Sequence, residues 1–171
     1  MLNKIKELNK KVSGLEAEDI IRYFAGIFQN KITFATSLGA EDQVLTDIIC
    51  KIDKGIPIFT LDTGRLFYET YNLIDKTEKY YKIKILKMFP DYIDVEKMVF
   101  EKGINLFYDS IDNRKLCCNV RKIKSLKRAL HGYEAWICGL RKGQSVTRAD
   151  INVVEFDELN NIIKINPLIN W

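Results

Sequence analysis

Short apolar, β-branched runs alternating with stretches of helical period constrain this chain more than any other feature. Residues 31–36, 56–61 and 84–88 each read as a strand. Between them, residues 41–53 carry Val44, Leu45, Ile48, Ile49 and Ile52 at helical spacing, and residues 66–80 form a second long helix. Gly55 ends the first of these helices. Strands and helices that alternate about every 25 to 30 residues define βαβ units and a parallel sheet. The later chain keeps this plan. Residues 95–101 are helical, residues 120–130 form a basic amphipathic helix ending near Gly132, and residues 135–140 make an apolar strand. Residues 152–156 and 162–165 flank a polar stretch and read as a β-hairpin. Ahead of the first strand, residues 5–12 and 16–29 read as two helices split by Ser13-Gly14, with Ser13 as a cap.

The 171 residues are enough for one domain around a single core. With 47% apolar and 29% charged residues, the balance is that of a soluble globular protein. No stretch approaches the roughly 20 apolar residues of a membrane span. Residues 1–12 alternate Lys with apolar residues and have no apolar signal core, so a cytoplasmic protein is expected. The net charge of +4 suits a small anionic ligand. No dense basic run with interleaved aromatics points to nucleic acid.

In open α/β sheets, ligands bind beyond the C-terminal ends of the strands. Three strand ends carry polar turns here. The first is Thr36-Ser37-Leu38-Gly39-Ala40-Glu41-Asp42. A small-residue turn that opens a helix offers backbone N–H groups at the positive end of a helix dipole, where phosphate binds. It is neither a Walker P-loop nor a G-x-G-x-x-G fingerprint. The second is Leu61-Asp62-Thr63-Gly64-Arg65. Its extended backbone can meet an adenine edge, while Asp62 either bonds a ribose hydroxyl or structures the turn. The third runs from Gly139 to Arg148 and holds Arg141, Lys142, Gln144, Ser145, Thr147 and Arg148. It is either an anion-binding loop or a solvated charged one.

Cys117 and Cys118 are adjacent, a spacing that fits neither a zinc knuckle nor a C-x-x-C redox motif. Set among Arg114, Lys115, Arg121 and Lys122, they read as ligands of an anionic iron–sulfur centre, or else as small core residues. Cys50 and Cys138 have apolar neighbours and read as inert packing. His131 stands at a helix end and is not expected to act as a base.

Together and in this order, these segments resemble the sulfonucleotide reductases, the adenylyl-sulfate (APS) and phosphoadenylyl-sulfate (PAPS) reductase family. Thr36-Ser37-Leu38-Gly39-Ala40 looks like its modified PP-loop. Leu61-Asp62-Thr63-Gly64 with Leu66-Phe67-Tyr68-Glu69-Thr70-Tyr71 looks like its second motif. Cys117-Cys118 with Arg121-Lys122 looks like its cysteine-pair segment. Residues 135–148 and Asn166-Pro167-Leu168 with Trp171 complete the match, which runs from about Lys31 to the last residue. The fold so implied is α/β, adenine nucleotide alpha hydrolase-like (PP-loop, Rossmann-like), with a mostly parallel sheet flanked by helices.

The resemblance implies reductive cleavage of adenylyl sulfate to sulfite and AMP in sulfate assimilation. The adjacent cysteines imply the branch that holds a 4Fe–4S cluster and prefers adenylyl sulfate over its 3′-phosphorylated form. In the family a cysteine on a C-terminal tail attacks the sulfur, and thioredoxin reduces the resulting thiosulfonate. By the same resemblance, Ser37, Gly39 and Ala40 meet the phosphate and sulfate. Leu61 and Gly139 meet adenine through backbone, near Asp62 and Gly64. Lys122 joins cluster to sulfate, and Arg141 and Gln144 bind the anion directly or in support, with Ser145 and Arg148 as further candidates. Cys117 and Cys118 are two of four cluster ligands. The family's second cysteine pair and tail nucleophile have no counterpart in residues 1–171, so this single domain is expected to bind nucleotide, stay inactive alone and carry no cluster. A homo-oligomer stays open. Two competing readings are an ATP-pyrophosphatase-type adenylating or thiolation enzyme, whose Ser-Gly-Gly-x-Asp-Ser loop is broken here at Leu38, Ala40 and Asp42, and a non-catalytic adenine-nucleotide module.

Overall fold

A computed structural model describes residues 1–144 and 151–171. Its strands are β1 (Ile32–Ala35), β2 (Ile58–Leu61), β3 (Ile85–Met88), β4 (Ala135–Ile137), β5 (Val154–Asp157) and β6 (Ile162–Ile165). They form one sheet in the order β3-β2-β1-β4-β6-β5. All neighbours pair in parallel except β5 with β6, which form the expected antiparallel hairpin. The chain builds outward from β1 to β3, then returns to β4 on the other side of β1. That reversal opens a crevice at the C-terminal ends of β1 and β4.

Side chains alternate across the sheet, as the pleat requires. Ile32 and Phe34 of β1, Ile58 of β2 and Ile137 of β4 join the main core. There they meet Phe24 of α2 (Ala17–Phe28) and Leu45 and Ile49 of α3 (Ala40–Ile52). Their neighbours Ala35, Phe59 and Trp136 point the other way, onto Leu126, Ala129 and Leu130 in and around α7 (Lys124–Leu130). Burying a side chain such as Phe34 stabilises the fold by about 1.5–3 kcal/mol. A satellite cluster of Met98, Leu106 and Val120 ties α5 (Tyr92–Lys102) to the segment before α7.

At each sheet edge, side chains bond to part of the outer strand's backbone, which hinders strand addition there. At β5, the Asn9 amide of α1 (Leu2–Lys11) donates to Val154 O at 2.8 Å and accepts from Val154 N at 3.0 Å. At β3, Glu78 of α4 (Tyr68–Tyr81) accepts from Ile85 N at 2.7 Å and from Lys87 Nζ at 2.6 Å. Burial draws the Glu78 carboxyl upward, but those two bonds and the neighbouring lysines bring it below its usual range.

Several boundaries differ from the sequence reading. Ser13 does not cap α2. Its N-cap is Glu16, with no side-chain cap bond, because Gly14 turns the chain at φ 77° and delays the helix. α4 starts two residues later than expected, since residues 62–67 are drawn into a turn. The helix expected at 120–130 begins earlier, as α6 (Ile111–Cys118) capped by Ser110, whose hydroxyl accepts from Asn113 N at 3.1 Å. α6 buries no residue, so it carries no apolar period to read. A π-helical turn, Asn119–Ile123, joins it to α7. Among the described residues, no helix is long and apolar enough to cross a membrane.

Candidate functional site

A cleft of about 600 Å³ lies over the β1/β4 crevice, a size suited to a small ligand. The turn after β1, the turn after β2, Gly139 beyond β4 and the α6–α7 segment border it. A second hollow of about 490 Å³, between the α1–α2 connection and the last residues, touches the strand-end turns only at Lys142. The cleft at the switch point is the better candidate, because strand ends, a helix start and cations converge there.

The β1 turn is built around Asp42. Its Oδ2 accepts from Ser37 N at 2.5 Å and Ser37 Oγ at 2.6 Å. Leu38 is held at φ 64°, with its N–H bonded to Thr36 Oγ1 at 3.0 Å. Gly39 is the N-cap of α3 and Ala40 its first residue, and among the described residues no side chain caps that helix start. Burial raises the Asp42 carboxyl above its ordinary range, and nearby Glu41 adds to this, while the two Ser37 bonds oppose it. Asp42 carries no local sequence signal of this role. An acid in the first turn of a helix is ordinary dipole chemistry, and its second partner lies a hundred residues away.

That partner is Gly139. A Cβ built there would overlap Asp42 Oδ1. Glycine at this strand exit therefore lets the β1 turn and the β4 end approach closely. Cys138 just before it also reaches the cleft wall, though it is buried and its thiol is pushed well up by desolvation.

In the β2 turn, Leu61 lines the cleft. Asp62 is buried and serves the turn. Its Oδ1 accepts from Gly64 N at 2.8 Å and from Tyr71 Oη at 3.1 Å. Of the two uses the sequence left open for Asp62, the structure displays the turn. Gly64 sits at φ 70°, a conformation that favours glycine. Thr63 and Arg65, which sequence reasoning passed over, line the cleft instead.

Lys122 projects from the π-helical turn into the cleft, while Val120 and Arg121 on the same turn are buried. Such a turn shifts the helical phase by a residue, which lets consecutive side chains serve different faces. Arg141 is not on the cleft wall. Its Nη2 pairs with Glu41 Oε1 at 2.5 Å, and Glu41 borders the cleft. Lys142–Gln144 is a 3₁₀ turn, and Ser145 and Arg148 lie outside the described residues. The structure thus gathers Ser37, Leu61, Gly139 and Lys122 around one space. It sets Gly39 and Ala40 at its helix border, and leaves Asp62, Gly64 and Arg141 as supports behind it.

Beside the cleft is a hollow of about 410 Å³ lined by Cys117, Cys118, Arg65, Arg114, Arg121 and Lys122, among others. Lys122, Arg65 and Thr63 border both spaces. Cys118 is exposed and Cys117 half-buried, while Cys50 and Cys138 are buried elsewhere. Among the described residues, no three His, Cys, Asp or Glu side chains converge to hold a metal. Two thiols ringed by four cations fit half the ligand set of an anionic four-thiolate cluster, and neither remaining cysteine completes it.

Residues 31–171 match the phosphoadenosine phosphosulfate reductase domain. An adenosine 5′-phosphosulfate reductase of Sinorhizobium fredii is 44% identical over 97% of this chain and 66% of its own length. One from Allochromatium vinosum is 50% identical over 83% of this chain and 56% of its own. The chain therefore spans somewhat under two thirds of these curated relatives. The crystal structure of a phosphoadenylyl-sulfate reductase from Candida auris, a phosphate complex, superposes with a TM-score of 0.81. It is 29% identical and covers 98% of this chain and 79% of that one. The mostly parallel sheet with flanking helices is thus the PP-loop, adenine nucleotide alpha hydrolase-like fold. The chain belongs to the phosphoadenosine phosphosulfate reductase domain family.

Proposed function

We propose that this chain is the nucleotide-binding body of an assimilatory adenylyl-sulfate reductase, acting in the cytoplasm with thioredoxin as electron donor. One observation carries the reading. Lys122 borders both the cleft at the sheet's switch point and the hollow that holds the cysteine pair. A substrate that joins a nucleotide to a sulfate is the ligand that needs a cation between those two places.

In this reading, the backbone at Leu61 and Gly139 meets the adenine edge, which leaves side chains out of base recognition. The β1 turn at Ser37, Gly39 and Ala40 faces the α-phosphate. Because Ser37 N–H and Oγ–H are held by Asp42, Ser37 shapes the turn more than it donates to the ligand. Lys122 neutralises the sulfate, and Arg141, held in reserve by Glu41, adds charge at the mouth. Gln144 is a further anion-binding candidate in this reading, ahead of Ser145 and Arg148.

The proposed chemistry is attack of a cysteine thiolate on the substrate sulfur. The S–O bond to phosphate breaks, AMP leaves with the electron pair, and a dithiol such as thioredoxin reduces the S-sulfocysteine to release sulfite. By family resemblance that nucleophile is a tail cysteine, not one of the four in these residues. This chain's part is to bind the nucleotide, orient its sulfur and screen its charge. Cys117 and Cys118 would hold a 4Fe–4S cluster in part. Bound there, it would set the electrostatic field beside the sulfate.

Calorimetric titration of the chain with adenylyl sulfate, its 3′-phosphorylated form, AMP and ATP tests the reading. Adenylyl sulfate should bind one to one and more tightly than ATP. Preference for ATP, with pyrophosphate release, would favour an adenylating enzyme instead.

A further inference from the structure

We propose that Arg121 is a positioning residue that locks the nucleotide-facing turn after β2 to the cysteine-bearing helix, so that cleft occupancy and Cys117 reactivity are coupled. The inference rests on the cleft being a nucleotide site.

Arg121 is 8% exposed, and its Nη1 donates to Thr63 O at 2.7 Å. A Cβ on Gly64 would come within 3.3 Å of that same nitrogen, so the turn is wrapped closely over the guanidinium. Among the described residues, Arg121 Nε is buried without a hydrogen-bond partner. A cation buried at this cost, making one bond to a main-chain carbonyl, is an unusual choice for packing alone.

A second arginine ties the same turn to the segment that precedes α6. Arg65 donates to Ile104 O and to Asn105 Oδ1, each at 3.1 Å, and its guanidinium lies 4.8 Å from the Phe107 ring centroid. The helix that carries Cys117 and Cys118 is thus fastened to the β2 turn before it starts and after it ends. Thr63 and Arg65 on that turn line both the cleft and the cysteine hollow. A ligand that settles against Leu61 and Thr63 pushes on the carbonyl Arg121 holds. Arg121 sits four residues beyond Cys117, one helical turn away.

The test uses the 171-residue chain with Arg121→Met and Arg121→Lys. The first readout is hydrogen exchange without ligand. In Arg121→Met, amides of residues 62–66 and of residues 115–123 should both exchange faster by about fivefold or more, with α2 unchanged. Arg121→Lys keeps one donor for Thr63 O and should fall between. Faster exchange in only one segment, or throughout the molecule, overturns the lock. The second readout is iodoacetamide alkylation of Cys117, followed by mass spectrometry with and without saturating AMP. AMP should slow it about fivefold in the native chain and leave it unchanged in Arg121→Met, with partial rescue in Arg121→Lys. Persistent protection in Arg121→Met overturns the proposal. So does AMP that binds the native chain by calorimetry yet leaves Cys117 unprotected, and in that case the nucleotide reading survives. If AMP does not bind at all, the nucleotide reading and the coupling fail together. Should Arg121→Met not fold, Arg121→Lys carries both comparisons.

Discussion

Gly139, at the exit of β4, lies so close to Asp42, in the first turn of α3, that a single methyl group at 139 would overlap the Asp42 carboxylate. The pair joins two turns that the chain separates by almost a hundred residues. Asp42 in turn grips Ser37 through both its amide and its hydroxyl. The shape of the β1 turn therefore depends on the absence of a side chain at Gly139, just beyond β4.

Gly139→Ala should destabilise the fold by about 1–3 kcal/mol and weaken adenylyl sulfate binding, because Asp42 must release Ser37 to make room. In an Asp42→Ala background the same substitution should cost much less. Urea denaturation of the four chains gives the cycle, with an expected coupling of about 0.5–3 kcal/mol. Additive effects would mean the two residues do not meet.

The pH dependence of stability should carry the signature of Asp42. Its folded-state carboxyl titrates above the ordinary value of 3.8, mainly through burial. Its contribution to stability is therefore fully present below pH 3.8 and is lost as pH rises through the raised folded value. Relative to Asp42→Asn, the native chain should lose stability from pH 3.5 upward, with the difference level by neutrality (about pH 7). Chemical denaturation midpoints across that range measure it.

Lys122→Ala should weaken adenylyl sulfate binding by about 1.5–3 kcal/mol, roughly tenfold to a hundredfold, the usual loss of a hydrogen bond to a charged group. AMP lacks the sulfate and should lose less. Calorimetry with both ligands reads the difference, and equal losses would place Lys122 against the phosphate instead.

The four thiols should separate by exposure. Cys118 is open to solvent and Cys117 half-buried, while desolvation raises both Cys50 and Cys138. An aromatic disulfide reagent at neutral pH should take Cys118 first and Cys117 more slowly, and reach the other two only after denaturant is added.

Reconstitution with iron and sulfide should leave the 171-residue chain without four irons per molecule. Cys50 and Cys138 are buried, and neither lines the hollow that holds Cys117 and Cys118. Iron analysis and visible absorbance decide this, and a full complement of four would mean other ligands reach the site.

What the linear chain determined by itself was local. The pleat period of Phe34, Phe59 and Trp136 and the helical period of Leu45 and Ile49 act within a few residues, so they were legible as strands and helices. The turns at Ser37–Ala40 and Leu61–Gly64 were legible too, because small and acidic residues at strand exits have local conformational reasons to be there. Lys122 was legible only through its neighbours Cys117 and Cys118. Tertiary structure decided the rest. Tyr71, brought in by α4, bonds the Asp62 carboxylate that also holds Gly64. Asp42 acquired its role from Gly139, Arg141 was drawn to Glu41, and Arg121 found Thr63 across 58 residues. Such pairings carry no sequence period. The Asp42–Gly139 and Glu41–Arg141 pairs exist because the sheet reverses its strand order at β1 and β4, and the Arg121–Thr63 pair because the α6–α7 segment crosses to the β2 turn.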